Sequence, residues 1–110
     1  MCIYAVVLKD HPAVVKLGQT KKWKSRRRAY DDWNFADGDG VLRYRAYTIT
    51  EEWVDLAGVE QACLARINKP VYRGREWFRG TLDDGTKAIE AVLCEFGLSY
   101  IDEGSEESDI

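Results

Sequence analysis

The sequence predicts an α+β domain: a small, mainly antiparallel sheet of three to four strands flanked by three helices. Three observations predict it. Two short runs rich in β-branched residues, Ile3 to Leu8 and Val14 to Thr20, stand either side of a turn that holds Pro12. A third run, Leu42 to Ile49, alternates residue by residue between two faces. Three longer segments repeat their apolar residues at helical spacing instead. A chain of 110 residues has room for one modest core, so one domain is expected.

The elements follow in the order β-β-α-β-α-(β)-α. The opening pair of runs reads as a β-hairpin. From about Lys22 to Trp33 the period turns helical, with Trp23, Arg26, Tyr30 and Trp33 on one side. Asp37-Gly38-Asp39-Gly40 is a loop signal. In the third strand Leu42, Tyr44, Ala46 and Thr48 share one face, and Arg43, Arg45, Tyr47 and Ile49 the other. Thr50, followed by Glu51 and Glu52, is the expected N-cap of the second helix, which ends near Asn68 before Pro70. Gly74 to Gly80 is short and aromatic, an edge or irregular strand. Asp83 or Asp84 opens the third helix, whose Ile89, Val92, Leu93 and Phe96 form an apolar face and which Gly97 stops. Leu98 to Ile101 offers a last short strand, so the domain is expected over residues 1–101. Residues 102–110 are read as an acidic, disordered tail.

Composition excludes several function classes. No apolar run approaches the roughly 20 residues of a membrane span, and a strand-like run begins by Ile3, so a cytoplasmic protein is expected. Cys2, Cys63 and Cys94 are widely spaced and form no C-x-x-C, which argues against a zinc knuckle or redox dithiol. Cys63 and Cys94 read as small core residues, and the single histidine, His11, as a turn residue. The net charge of −3 conceals a segregated distribution. Asp102, Glu103, Glu106, Glu107 and Asp109 crowd the last nine residues. Without that segment 16 bases face 14 acids. Lys21, Lys22, Lys24, Arg26, Arg27 and Arg28 cluster in one short stretch, the electrostatic footprint of a nucleic-acid-binding surface or, more plainly, a solvated helix face.

Glu60 is the residue out of place. Leu56, Val59, Cys63, Leu64 and Ile67 mark the buried stripe of the second helix. At about 100° per residue Glu60 falls inside that stripe. A carboxylate there is costly unless a cation, a metal ion or several donors meet it. It is either a functional carboxylate or half of a structural ion pair with Arg26 or Arg66.

Cys2-Ile3-Tyr4 in the first strand, Lys16-Leu17-Gly18-Gln19-Thr20 ending the second, an arginine-bearing helix and a glutamate within a later apolar helix together resemble the GIY-YIG nuclease superfamily. The likeness runs from about residue 2 to residue 80. It is similar to a short phage and bacterial branch, whose second tripeptide reads Lys-aliphatic-Gly and whose domain closes on Glu-Trp-Phe, here Glu76-Trp77-Phe78. The family's arginine, about eight residues after the motif glycine with an aromatic residue or histidine four further on, falls on Arg26 with Tyr30, or by a one-residue slip on Arg27.

The resemblance implies a metal-dependent endonuclease that hydrolyses DNA phosphodiesters with one Mg²⁺ or Mn²⁺ held by Glu60. Arg26 would present its planar fork to the phosphate, and Lys16 a point charge. Tyr4 is the favoured base for the attacking water, with Tyr30 assisting. Ile3, Gly18, Glu76, Trp77 and Phe78 are carried over as motif and framework residues, Trp77 and Phe78 reading as core. Lys21, Lys22, Lys24, Arg27 and Arg28 would contact the nucleic-acid backbone. The chain departs from the family pattern at Cys2, where a glycine is usual, at Lys16, where the wider family has tyrosine, and in lacking the asparagine expected after Glu60. A domain this small makes one cut, so a double-strand break needs two copies or two encounters, and targeting falls to this domain, a homodimer or a protein partner. The other reading is a catalytically inactive relative that binds nucleic acid or protein and regulates.

Overall fold

Period-two alternation splits the opening strand into two rows, and both rows are buried. Ile3, Ala5 and Val7 face one side of the sheet and Cys2, Tyr4 and Val6 the other. A strand apolar on both faces belongs in the middle of a sheet. The computed structural model describes residues 1–8, 12–26, 41–51, 54–67, 69–73 and 76–107, and there this strand, β1 (Cys2–Leu8), lies between β2 (Val14–Thr20) and β3 (Val41–Ile49). Beyond them are β4 (Val71–Arg73), β5 (Trp77–Arg79) and β6 (Tyr100–Glu107). The order is β4-β5-β2-β1-β3-β6, and every pairing is antiparallel.

The α+β class is therefore as expected, but the sheet is larger. The described residues form six strands where three or four are expected. Two elements account for the difference. The three-residue β4 is too short to leave a periodic signal, and it pairs with β5. The acidic segment read as a disordered tail from residue 102 instead continues β6 to Glu107 along β3. Two of its acids find partners there: Asp102 pairs with Arg45, and the Thr48 hydroxyl donates to Glu103 at 2.7 Å. Composition alone misses this because the compensating bases lie on a strand distant in sequence.

Helices α1 (Leu56–Arg66) and α2 (Leu82–Glu95) pack on the row of Ile3, Ala5 and Val7. Val59 and Cys63 of α1, and Ile89, Val92 and Leu93 of α2, join Val15, Leu17, Tyr47, Ile49 and Phe78 in the main core. Contact between α2 and the sheet is close at Gly85, where a Cβ would stand 3.2 Å from that of Ala5. A helical turn at residues 23–26 instead supplies Trp23 to the second cluster, with Cys2, Tyr4, Val6, Val14, Tyr44, Ala46 and Trp77.

Helix ends follow local hydrogen bonding. The N-cap of α1 is Asp55, whose Oδ1 accepts from Gly58 N–H at 3.1 Å, rather than Thr50. Thr50 is committed elsewhere: its amide and hydroxyl both donate to the Ser99 carbonyl, and Glu51 accepts from the Ser99 amide. Those N–H bonds hold the Glu51 carboxyl below its usual range. Thr81 caps α2 in a reciprocal box with Asp84. Gly97, at φ 66°, closes α2 with its amide bonded to Cys94 O and the next amide to Leu93 O. Cys63 is buried as expected, whereas Cys94 is exposed. Among the described residues no helix is long and apolar enough to cross a membrane.

Candidate functional site

The site forms where β2 outruns its neighbour. On one side β1 pairs with β2 from Cys2↔Thr20 to Val6↔Lys16. On the other, β5 pairs only with Val14, Val15 and Lys16. One further bond, from Leu17 N–H to the Glu76 carbonyl at 2.9 Å, ends that edge. Gly18, Gln19 and Thr20 thus extend past the end of β5, and side chains reach this stretch from both faces.

From the helix face comes Glu60, only 5% exposed. The helical phase of α1 puts it on the same side as Leu56, Val59 and Cys63, all buried. Its partners are not the arginines that sequence spacing suggests, since Arg66 turns to Glu95. The Gln19 amide and the Glu76 carboxyl are its side-chain neighbours instead. Burial raises the Glu60 pKa above the ordinary carboxyl value, and the negative charge of Glu76 raises it further. Gln19 and the nearby Lys16 ammonium oppose that rise. Burial likewise pushes the Cys63 thiol, a neighbour of Glu60 on the same helix, up to about 12.

Lys16 links this acid pair to the other face. Its side chain is 12% exposed, its ammonium stands 3.5 Å from Glu76 Oε2, and it lies over the Trp77 ring at 5.9 Å from the centroid. Trp77 and Phe78 are both buried, one in each cluster, as a framework role requires.

From the opposite face Tyr4, 1% exposed, crosses to Gly18, its partner in register. A Cβ on Gly18 would sit 2.4 Å from the Tyr4 Oη, so only glycine leaves room for the phenol. Trp23 covers the Tyr4 ring at 4.7 Å between centroids and rests on Tyr44 at 5.0 Å. Carboxylate and phenol therefore approach consecutive residues of β2, Gln19 and Gly18, from opposite faces. Ile3 points into the main core as framework.

The structure draws Lys16, Glu60 and Glu76 into one cluster with Gln19, and sets Tyr4 on Gly18 beneath Trp23. Arg26 stands exposed at the end of the described helical turn, where its amide donates to Lys22 O at 3.1 Å. Lys21, Lys22 and Lys24 are exposed beside it. Tyr30, Arg27, Arg28 and His11 lie outside the described residues.

Sequence reasoning missed Gln19 and the covering role of Trp23. Gln19 was accessible through parity: Val15, Leu17 and Gln19 form one row of β2, so its amide shares the face of the buried carboxylate. Among the described residues no group of three or more His, Cys, Asp or Glu side chains is arranged to hold a metal ion. What the cluster offers a cation is the carboxylate oxygens of Glu60 and Glu76. Comparison of the chain with protein-family models, curated proteins and solved structures gave no match.

Proposed function

We propose that this chain is a metal-dependent endonuclease of the GIY-YIG type, hydrolysing phosphodiester bonds in DNA. The observation that carries the reading is Glu60: a buried carboxylate with the acid Glu76 as its neighbour, beside Lys16, at the open end of β2. Two carboxylates so close repel when both are ionised, and a divalent cation relieves that repulsion. The donors are hard oxygens, suited to Mg²⁺ or Mn²⁺ with water completing the shell. When bound, the cation neutralises phosphoryl charge and stabilises the leaving 3′-oxygen.

The chain's own groups divide the remaining work. Glu60 holds the cation. Lys16 meets a phosphate oxygen as a point charge. Arg26, exposed one helical turn from Trp23, offers paired N–H donors to the same phosphodiester. Tyr4, which Trp23 must uncover before water reaches its phenol, orients the attacking water and accepts its proton, with Tyr30 assisting. Lys21, Lys22, Lys24, Arg27 and Arg28 bind the backbone of the duplex without reading its sequence. A double-strand break takes a homodimer or two encounters, and a protein partner would supply targeting.

Incubating supercoiled plasmid with the protein and Mg²⁺ or Mn²⁺ tests this. Wild type should nick it, while Glu60→Ala and Arg26→Ala should each lower the rate by about 10²-fold or more, on the scale of other charge-stabilising groups. Cleavage that survives both substitutions sinks the reading.

One observation favours a second reading, a non-cleaving module that binds nucleic acid or protein. Tyr4 is enclosed between Gly18 and Trp23, an arrangement that keeps water from its phenol. Salt-dependent duplex binding in EDTA, with no cleavage when Mn²⁺ is restored, would select it.

A further inference from the structure

Lysine is an imprecise phosphate ligand, because four rotatable bonds scatter its ammonium through solvent. At Lys16 the scatter is restrained twice. The ammonium lies over the Trp77 ring at 5.9 Å from its centroid and meets Glu76 Oε2 at 3.5 Å, with the side chain 12% exposed. Glu76 is itself fixed by its backbone, since its carbonyl accepts from Leu17 N–H at 2.9 Å, one residue from the lysine it pairs with. Its carboxylate also acts on that of Glu60 as a neighbouring charge. One residue therefore fixes the positions of both a cation and an acid relative to the end of β2.

We propose that Glu76 is a positioning residue for cleavage: its carboxylate holds the Lys16 ammonium beside Glu60, at the spot where the scissile phosphate is received. This rests on the endonuclease reading and adds a role for a residue that there serves as framework and as the acidic neighbour of Glu60. Framework and positioning are separable here, because the strand contact is made by the Glu76 backbone and the lysine contact by its side chain.

Charge gives the test its sign. Glu76→Gln removes a negative charge next to a polyanion site, so simple electrostatics predicts tighter DNA binding and a lower KM. Positioning predicts that kcat falls about tenfold despite the tighter binding. Glu76→Asp, which keeps the charge on a shorter stem, should recover part of that loss. In the Lys16→Ala background Glu76→Gln should cost nothing more, because the lysine it positions is gone. Nicking of plasmid in Mn²⁺ is followed at several substrate concentrations, with thermal melting to confirm that each variant folds. Unchanged kcat in Glu76→Gln, or losses that multiply in the double variant, overturns the positioning role while leaving the endonuclease standing. A folded wild type that cuts no DNA overturns both.

Discussion

Tyr4 and Gly18 face one another across β1 and β2, and the phenol occupies the space that a side chain on Gly18 would need. The ring cannot retreat, because Trp23 lies over it and the residue is almost fully buried. Gly18→Ala should therefore destabilise the fold by about 1–3 kcal/mol, the range for overpacking a dense interior. Urea denaturation measures it. An alanine variant as stable as wild type would mean that the phenol does not rest there.

Glu60 sets stability against charge. Its pKa is raised by burial and by Glu76, so the folded state disfavours the ionised form. The sign follows from linkage: this acid weakens the fold above its raised pKa, and the loss is recovered as pH falls through that value toward the unfolded one. Glu60→Gln should raise stability at pH 7 in metal-free buffer by about 0.5–2 kcal/mol. The advantage should shrink in acid, where the wild-type carboxyl is protonated. Melting curves from pH 7 down to pH 4 check both statements.

The cap of α2 behaves in the opposite sense. Thr81 and Asp84 satisfy each other's amides, and the bond from Thr81 N–H holds the Asp84 carboxyl below its usual range. Its contribution is complete above the unfolded carboxyl pKa and disappears as pH falls through the depressed one. Thr81→Ala should cost about 1 kcal/mol at neutral pH. Thermal melting of the single substitution at pH 7 reads it.

Residues 102–107 are predicted to be ordered. Tyr47↔Asp102 and Arg45↔Ser105 are in register, so amides in this stretch should exchange with deuterium more slowly than those of a free chain. Asp102→Asn breaks the pair with Arg45 and should weaken that protection, with a stability loss of about 0.2–1 kcal/mol that salt screens. Random-coil exchange rates across the segment would contradict β6.

How much was legible depended on whether the informative contact was local. The burial of Glu60 follows from helical phase, since Leu56 and Cys63 fix the buried side of α1 whatever lies opposite. Its partners were not legible. Gln19 and Glu76 reach it through the registry of β2 and the residue before β5, which no spacing within α1 encodes. The hairpin and the two-faced β3 were visible in period-two alternation. The start of α1 was misplaced because Thr50 and Asp55 are both good caps by composition, and only Ser99, brought close by the fold, decides that Thr50 is used elsewhere. The acidic β6 was hidden for the same reason: Arg45 compensates Asp102 from 57 positions away.

That separation also has a consequence for biogenesis. A ribosome releases β3 well before β6 is made, and until then the outer rim of β3 carries unsatisfied peptide groups flanked by Tyr44, Tyr47 and Ile49. The nascent domain thus passes through an interval of stickiness that ends when its anionic strand zips into place. Displayed on stalled ribosomes through a C-terminal linker long enough to clear the exit tunnel, a chain cut before residue 100 should be seized by chaperones far more readily than one that runs past residue 107.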